Sequence, residues 1–198
     1  MMVIINNFSA RDNAMRVSRK QVEENKQTIL AAAGRLFRER GFDAVTVTDI
    51  MKSAGLTHGG FYGYFKSKDE LIALTLAELK AASGAVENGS PPQIERYLSP
   101  EHRDNFASGC PLAALAADTI RQSEPARSEM TAGLKQQIAN LSKTVNGEDD
   151  AARHRAAVGS WSAMVGAVIL ARMTSDPALS DEILRETAAW LQEKAPQA

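Results

Sequence analysis

Apolar residues recur along most of this chain at three- and four-residue spacing, the period of an amphipathic helix. Between about Arg19 and Arg40 the stripe is Val22, Ile29, Leu30, Ala33, Leu36 and Phe37. Gly41 closes it, and Phe42 is placed to fold back on the last turn. Thr46 or Thr48 is positioned to cap a second helix, 49-DIMKSA-54, with Asp49 in the first turn where a negative charge suits the dipole. Gly55 ends it. Leu56 then enters the core, Thr57 is placed to cap a third helix over 58-HGGFYGYF-65, and Ser67 with Glu70 makes a capping box for a fourth, 71-LIALTLAELKAA-82.

Residues 83–92, SGAVENGSPP, read as a linker and a domain boundary. Beyond them the pattern predicts short helices near 92–98 and 100–106, a kink at 109-GCP-111 and a helix from Pro111. Another starts at Pro125, with Met130, Leu134, Ile138, Leu141 and Val145 as its stripe. After 146-NGEDD-150 come a long helix over 149–173 and an amphipathic one over 178–193. Only 45-VTV-47 looks like a strand, and it is too short to seed a sheet. The expected fold is all-α. A flexible or disordered tail (1–18) precedes a three-helix helix-turn-helix domain (19–66), a connecting helix (67–82) and a helical C-terminal domain (83–198).

The three glycines of 58–65 need an explanation, because each one inside a helix costs about 1 kcal/mol relative to alanine. A phosphate-binding loop needs GxxxxGK[ST] or GxGxxG after a strand, and neither is present. An esterase-like use of 58-HGG-60 needs a GxSxG elbow on a sheet, which is also missing. A recognition helix in a DNA major groove fits, since glycine lets the backbone come close to the duplex. Leu56, Phe61 and Phe65 then anchor it to its neighbours.

Composition and charge narrow the class. One cysteine, Cys110, excludes an internal disulfide and fits a reducing cytosol. The N-terminus lacks a signal-peptide pattern, and Met15 is a candidate alternative start. No continuous apolar run approaches the roughly 18 residues of a membrane span, since Arg172 cuts off 163-AMVGAVILA-171. The expected location is cytoplasmic, with no membrane partner. Residues 1–70 carry 11 Lys and Arg against 8 Asp and Glu, and residues 71–198 carry 12 against 16. A polyanion would therefore meet the front. His58, His102 and His154 lack metal-ligand spacing, and no nucleophile–base set is evident. Neither a cofactor nor enzymatic activity is expected.

The segment 46-TVTDIMKSAGLTHGGFYGYFKSKDEL-71, preceded by 29-ILAAAGRLFRERGFDAV-45, closely resembles the DNA-binding domain of TetR/AcrR-like transcriptional regulators. The likeness covers about residues 19–75 and departs from the family pattern at Met51 and Gly63. It implies a double-stranded DNA operator as partner. His58, Gly59 and Gly60 would form the turn that meets base edges, with His58 the main side-chain reader. Thr57 would cap this helix and meet a phosphate, Tyr62 and Tyr64 would donate to phosphates, and Lys68 would add charge. Thr46 and Thr48 would seat the second helix on the backbone, and Lys20 and Lys26 would reach phosphates. With so small and neutral a tip, specificity would lean on phosphate register and DNA shape. Plainer readings stand beside these: Thr46 and Thr48 as simple caps, the lysines as a solvated face, Tyr64 as core.

A short recognition helix needs two half-sites about 34 Å or more apart, so the resemblance also implies a homodimer through the last two helices. Ala152, Ala156, Gly159, Ala163 and Ala167 form a small-residue track on the longer one, with Trp161, Met164, Val165 and Val168 adding apolar area. The start of the helix at Gly109-Cys110 resembles that of a subset of TetR-like proteins that sense electrophiles or oxidants by cysteine. His102 and Arg103 are candidate cations beside this thiol, while an inert buried cysteine is the plain alternative. An effector pocket is expected among Phe106, Leu112, Met130, Leu134, Trp161 and Met164. The reading is a ligand- or redox-responsive repressor with an unidentified small-molecule effector. The rival is an all-α small-molecule-binding or interaction protein without an operator.

Overall fold

The computed structural model describes residues 19–87 and 94–194. The expected tail and the alternative start at Met15 lie outside the described residues. The described elements are all helical: α1 (Arg19–Ala44), α2 (Val47–Ser53), a 3₁₀ segment (His58–Gly63), α3 (Lys68–Glu87), α4 (Ile94–Tyr97), α5 (Pro100–Asp104), α6 (Pro111–Thr119), α7 (Glu124–Ser142), α8 (Asp150–Met173) and α9 (Pro177–Lys194).

Glycine turns set the front domain. Gly41 (φ 79°, ψ 169°) breaks α1 and sends Phe42 back onto Phe37, with ring centroids 5.1 Å apart. Gly55 (φ 71°) ends α2. Both adopt a left-handed conformation that a side chain would strain. Ile29, Leu30, Leu36, Phe37, Phe42, Val45, Ile50, Met51, Phe61, Phe65, Leu71 and Ile72 form one buried cluster between these helices. Val22, expected in the α1 stripe, is 39% exposed, because the first turns of α1 extend past the core. Gly34 lets α3 cross α1 closely, since a Cβ there would stand 3.2 Å from Leu79 Cδ2.

The expected boundary at residue 83 is not a break. The α3 backbone continues through it to Glu87 and packs along α7, joined by a Lys80 Nζ–Glu129 Oε2 ion pair at 2.6 Å. The helix thus runs on through 83-SGA-85 despite its poor helix propensity. The rest of the predicted linker, 88–92, lies outside the described residues. Leu115 of α6 and Ala126 of α7 complete the front core, so front and rear share an apolar joint.

The rear core gathers Leu98, Leu141, Ala157, Trp161, Met164, Ala167, Val168, Leu184 and Leu191 around α8. This corrects the expected dimer face. Trp161, Met164, Ala167 and Val168 point into their own bundle, while Val158, Ile169, Leu170, Met173, Leu179 and Trp190 are the exposed apolar residues of α8 and α9. A Cβ at Gly159 or Gly166 would meet open space. By length and composition α8 is also apolar enough to cross a membrane. Here it is the central helix of the bundle.

Candidate nucleic-acid interface and ligand cavity

Thr46 caps α2 in full. Its Oγ1 accepts from Asp49 N–H at 3.1 Å, and its own N–H donates to Asp49 Oδ2 at 3.0 Å. The Thr46 hydroxyl and N–H hold the Asp49 carboxyl below its usual range. Thr48 is exposed, and its Oγ1 lies 3.1 Å from His58 Nδ1. That contact ties α2 to the next element and leaves Nε2 as the outward ring nitrogen of His58.

That element is a 3₁₀ segment rather than the expected helix over 58–65. Gly60 N–H donates to Thr57 O at 3.1 Å and Tyr64 N–H to Phe61 O at 2.9 Å, the three-residue closure of a tighter helix. The predicted Thr57 cap is absent, since no N–H of the segment bonds its hydroxyl. Phe61 and Phe65 are buried as expected, 1% and 2% exposed. Tyr62 faces outward, 73% exposed.

The glycines are the informative part. None of Gly59, Gly60 and Gly63 has positive φ. A Cβ at Gly59 or Gly63 would meet nothing within 4 Å, and one at Gly60 would make only ordinary contacts at 3.8 Å and beyond. The interior of the protein does not require a bare backbone at these positions.

Two predicted phosphate contacts have partners inside the protein. Tyr64 is half-buried, and its hydroxyl accepts from Asn25 Nδ2 at 2.9 Å. Lys68 Nζ donates to Phe42 O at 2.6 Å, across the Gly41 kink. Both are better described as struts between α1 and the elements after α2. Lys26 Nζ lies 6.0 Å from the centroid of the Phe65 ring, and Lys20 pairs with Glu24 on the surface at 3.4 Å. Asn25 was not anticipated. A lone polar residue on a helix gives no sequence signal of a contact 39 positions away.

In the rear, a cavity of about 610 Å³ opens between α1, α3 and α6–α8. Its wall includes Leu112, Met130 and Trp161 from the expected set, together with Cys110. The other three lie elsewhere. Met164 is 1% exposed in the rear core, Leu134 is 37% exposed, and Phe106 lines a shallower recess of about 320 Å³ with its ring under the Arg172 guanidinium at 4.3 Å. The 3.6-residue period identifies an apolar face but cannot distinguish core from cavity wall.

Cys110 stands at the N-cap of α6 without capping it through its side chain. Its backbone N–H donates to His102 Nε2 at 3.1 Å, while His102 Nδ1 lies 2.6 Å from Tyr97 O. A ring that accepts at Nε2 and donates at Nδ1 is neutral. Burial, with Arg172 and Arg96 nearby, holds this imidazole below its usual range. Arg103 is committed to Asp104, Asp181 and Ser180. The cations that sense Cys110 electrostatically are therefore Arg38 and Arg172, not the predicted His102 and Arg103. Gly109 is needed here, because a Cβ would stand 2.6 Å from Asn105 O.

A capped α2, a glycine turn and a short exposed segment on a helical core, joined to a larger helical half, define the class: a helix-turn-helix fold. Residues 29–75 match the family of bacterial regulatory proteins, tetR family, so the front of the chain is similar to the DNA-binding domain of those regulators. It is 37% identical over 84 residues to the HTH-type transcriptional regulator HbdR of Aromatoleum sp. (strain CIB), covering 42% of this chain and about a third (35%) of that protein's length. It is 28% identical over 140 residues to the HTH-type transcriptional repressor NemR of Escherichia coli K12, covering 64% of this chain and 70% of NemR. The reduced form of E. coli NemR shares the fold with TM-score 0.70 at 24% identity, over 88% of this chain and 98% of that one.

Proposed function

We propose that this chain binds operator DNA as a homodimer and acts as a repressor, released by a small molecule held in the rear cavity. The carrying observation is the set of glycines at 59, 60 and 63. They weaken their own segment, and neither backbone conformation nor internal packing calls for them. A duplex approaching the bare backbone supplies the reason. His58 Nε2 and the Tyr62 hydroxyl are the outward groups beside it, with Thr48 fixing the imidazole and Thr46 seating α2 by its backbone. Tyr64 and Lys68 hold this surface in place from behind.

The dimer would use the outer faces of α8 and α9, where Val158, Ile169, Leu170, Met173, Leu179 and Trp190 are exposed and Gly159 and Gly166 permit close approach. The repressor assignment rests on the likeness to NemR, and the cytoplasmic location on the role itself. An effector in the cavity would act through its differential affinity for two rear-domain arrangements. The shared joint of Leu115 and Ala126 with the front core offers a route for coupling. Cys110 in the cavity wall supports a second reading, release by thiol modification.

The test is a gel shift with DNA upstream of the protein's own reading frame. Binding should weaken as salt rises with a log–log slope of several units, and sedimentation should give a dimer. No affinity for any duplex at low ionic strength would end this reading. Thiol-reagent release of wild type but not of Cys110→Ser would favour the second trigger.

A further inference from the structure

We propose that the rear cavity selects a small aromatic carboxylate and that Arg38 is the group that recognises its charge. This rests on the reading of the cavity as the effector site and adds the chemical class of its occupant. The wall carries Arg38, Lys80 and Arg96 against Glu101 and Glu129. Lys80 and Glu129 neutralise each other at 2.6 Å, which leaves the remaining wall with a positive excess.

Arg38 is half-buried and forms no ion pair among the described residues. Its neighbour Glu39 is engaged by Arg35 at 3.4 Å. The hydrogen bond it does make is long, from Nη1 to Gly109 O at 3.4 Å, and its buried Nε has no acceptor. A guanidinium offers five donors in a planar fork that matches a carboxylate, so this one retains most of its capacity. Burial disfavours its charge, and a bound anion would offset that cost.

The body of the ligand follows from the rest of the wall. Trp161 is 3% exposed, and its indole nitrogen is buried without an acceptor. The Tyr97 and Trp161 rings stand 5.3 Å apart, and Leu76, Leu112 and Met130 add apolar surface. An aromatic ring bearing a carboxylate satisfies both the apolar walls and the cation.

Arg38 also belongs to α1, directly after Phe37 of the front core. An anion that draws the guanidinium off Gly109 O would touch both halves of the molecule at once. That gives the ligand a differential contact across the joint, which coupling requires.

Calorimetry on the full-length protein with matched pairs tests this: naphthalene-2-carboxylate against naphthalene-2-carboxamide, and biphenyl-4-carboxylate against its amide. Carboxylates should bind at least about tenfold tighter than amides in wild type, a preference falling below about threefold in Arg38→Met. Circular dichroism checks that variant's fold. If it fails to fold, Arg38→Lys replaces it and should keep charge attraction but lose most of the preference. Amides binding as well as carboxylates, a preference indifferent to Arg38, or no binding of any probe at millimolar concentration would overturn the proposal. Parallel gel shifts separate the two readings. Amides that bind equally and release DNA defeat the anion class alone, whereas Arg38-dependent carboxylate binding without effect on DNA supports the anion site and defeats the effector role.

Discussion

The front and rear halves of this molecule are both helical, yet they differ in where their polar and empty places lie. In the front, the core is closed by large side chains, and the unexplained features are on the outside, at Gly59, Gly60 and Gly63. In the rear, the unexplained features are inside: a cavity of about 610 Å³ whose wall holds the Trp161 indole nitrogen without an acceptor and receives, from α1 of the front, the equally unpartnered Arg38 Nε. A bare outer backbone suits a large partner that comes to the surface. Unpaired groups around a void suit a small partner that enters. The comparison separates the proposed DNA role from the proposed ligand role on physical grounds.

The largest effect should come from breaking the front core. Phe61 is 1% exposed, packs 5.5 Å from Phe65 and sits in the segment that carries the candidate reading turn. Phe61→Ala should cost about 3–5 kcal/mol, measured by denaturant melting, and abolish operator binding. Gly60→Glu sharpens the contrast. A Cβ there meets ordinary contacts, so melting should change little, while operator affinity should fall on the order of 100-fold from a side chain and a negative charge placed against phosphates. A large loss of stability with unchanged DNA affinity would reverse the assignment of these glycines.

The halves also differ in how far the sequence exposes them. Gly41 and Gly55 could be read as helix stops because their positive φ is what glycine is used for. Thr46 could be read as a candidate cap of α2, beside Thr48, with Asp49 in the first turn, because these signals lie within one turn; the reciprocal bond from Thr46 N–H to Asp49 is what the structure adds. Arg38 could not be found this way. On paper it is one more basic residue on α1, and its contact is with Gly109 O, 71 positions later. The continuation of α3 past residue 82 was hidden because 83-SGA-85 carries poor local helix propensity, although the helix runs through it. Local chemistry was legible; contacts made only by folding were not.

A pair of threonines tests the same contrast at smaller scale. Thr46→Ala removes a hydroxyl that bonds Asp49 N–H and should cost about 1 kcal/mol in a melt. Thr57→Ala removes one that caps nothing, because the Gly60 N–H is already bonded to the Thr57 carbonyl, so stability should hold. If Thr57→Ala alone weakens DNA binding, its hydroxyl faces the phosphate as the resemblance implied. Equal stability losses for the two would mean that the 3₁₀ segment is capped in solution after all.

The smallest expected effect belongs to the rear and to pH. His102 is held neutral between Tyr97 O and the Cys110 N–H, with its pKa lowered from 6.5 mainly by burial. In the unfolded chain the imidazole takes a proton near its ordinary value; in the folded chain it resists until lower pH. The unfolded state therefore binds more protons in that window, and linkage makes stability fall as pH drops below about 6.5, levelling out once the folded group also titrates. His102→Gln should flatten this slope in melts run between about pH 8 and about pH 5, at whatever baseline stability it keeps. A protonated ring would turn Nε2 into a donor facing the donor N–H of Cys110, so the loop that positions Cys110 should loosen over the same window. Hydrogen exchange at the Cys110 amide should then rise with acidification beyond the intrinsic trend in wild type and not in the variant. A wild-type slope that survives the substitution would place the titrating group elsewhere in the rear half.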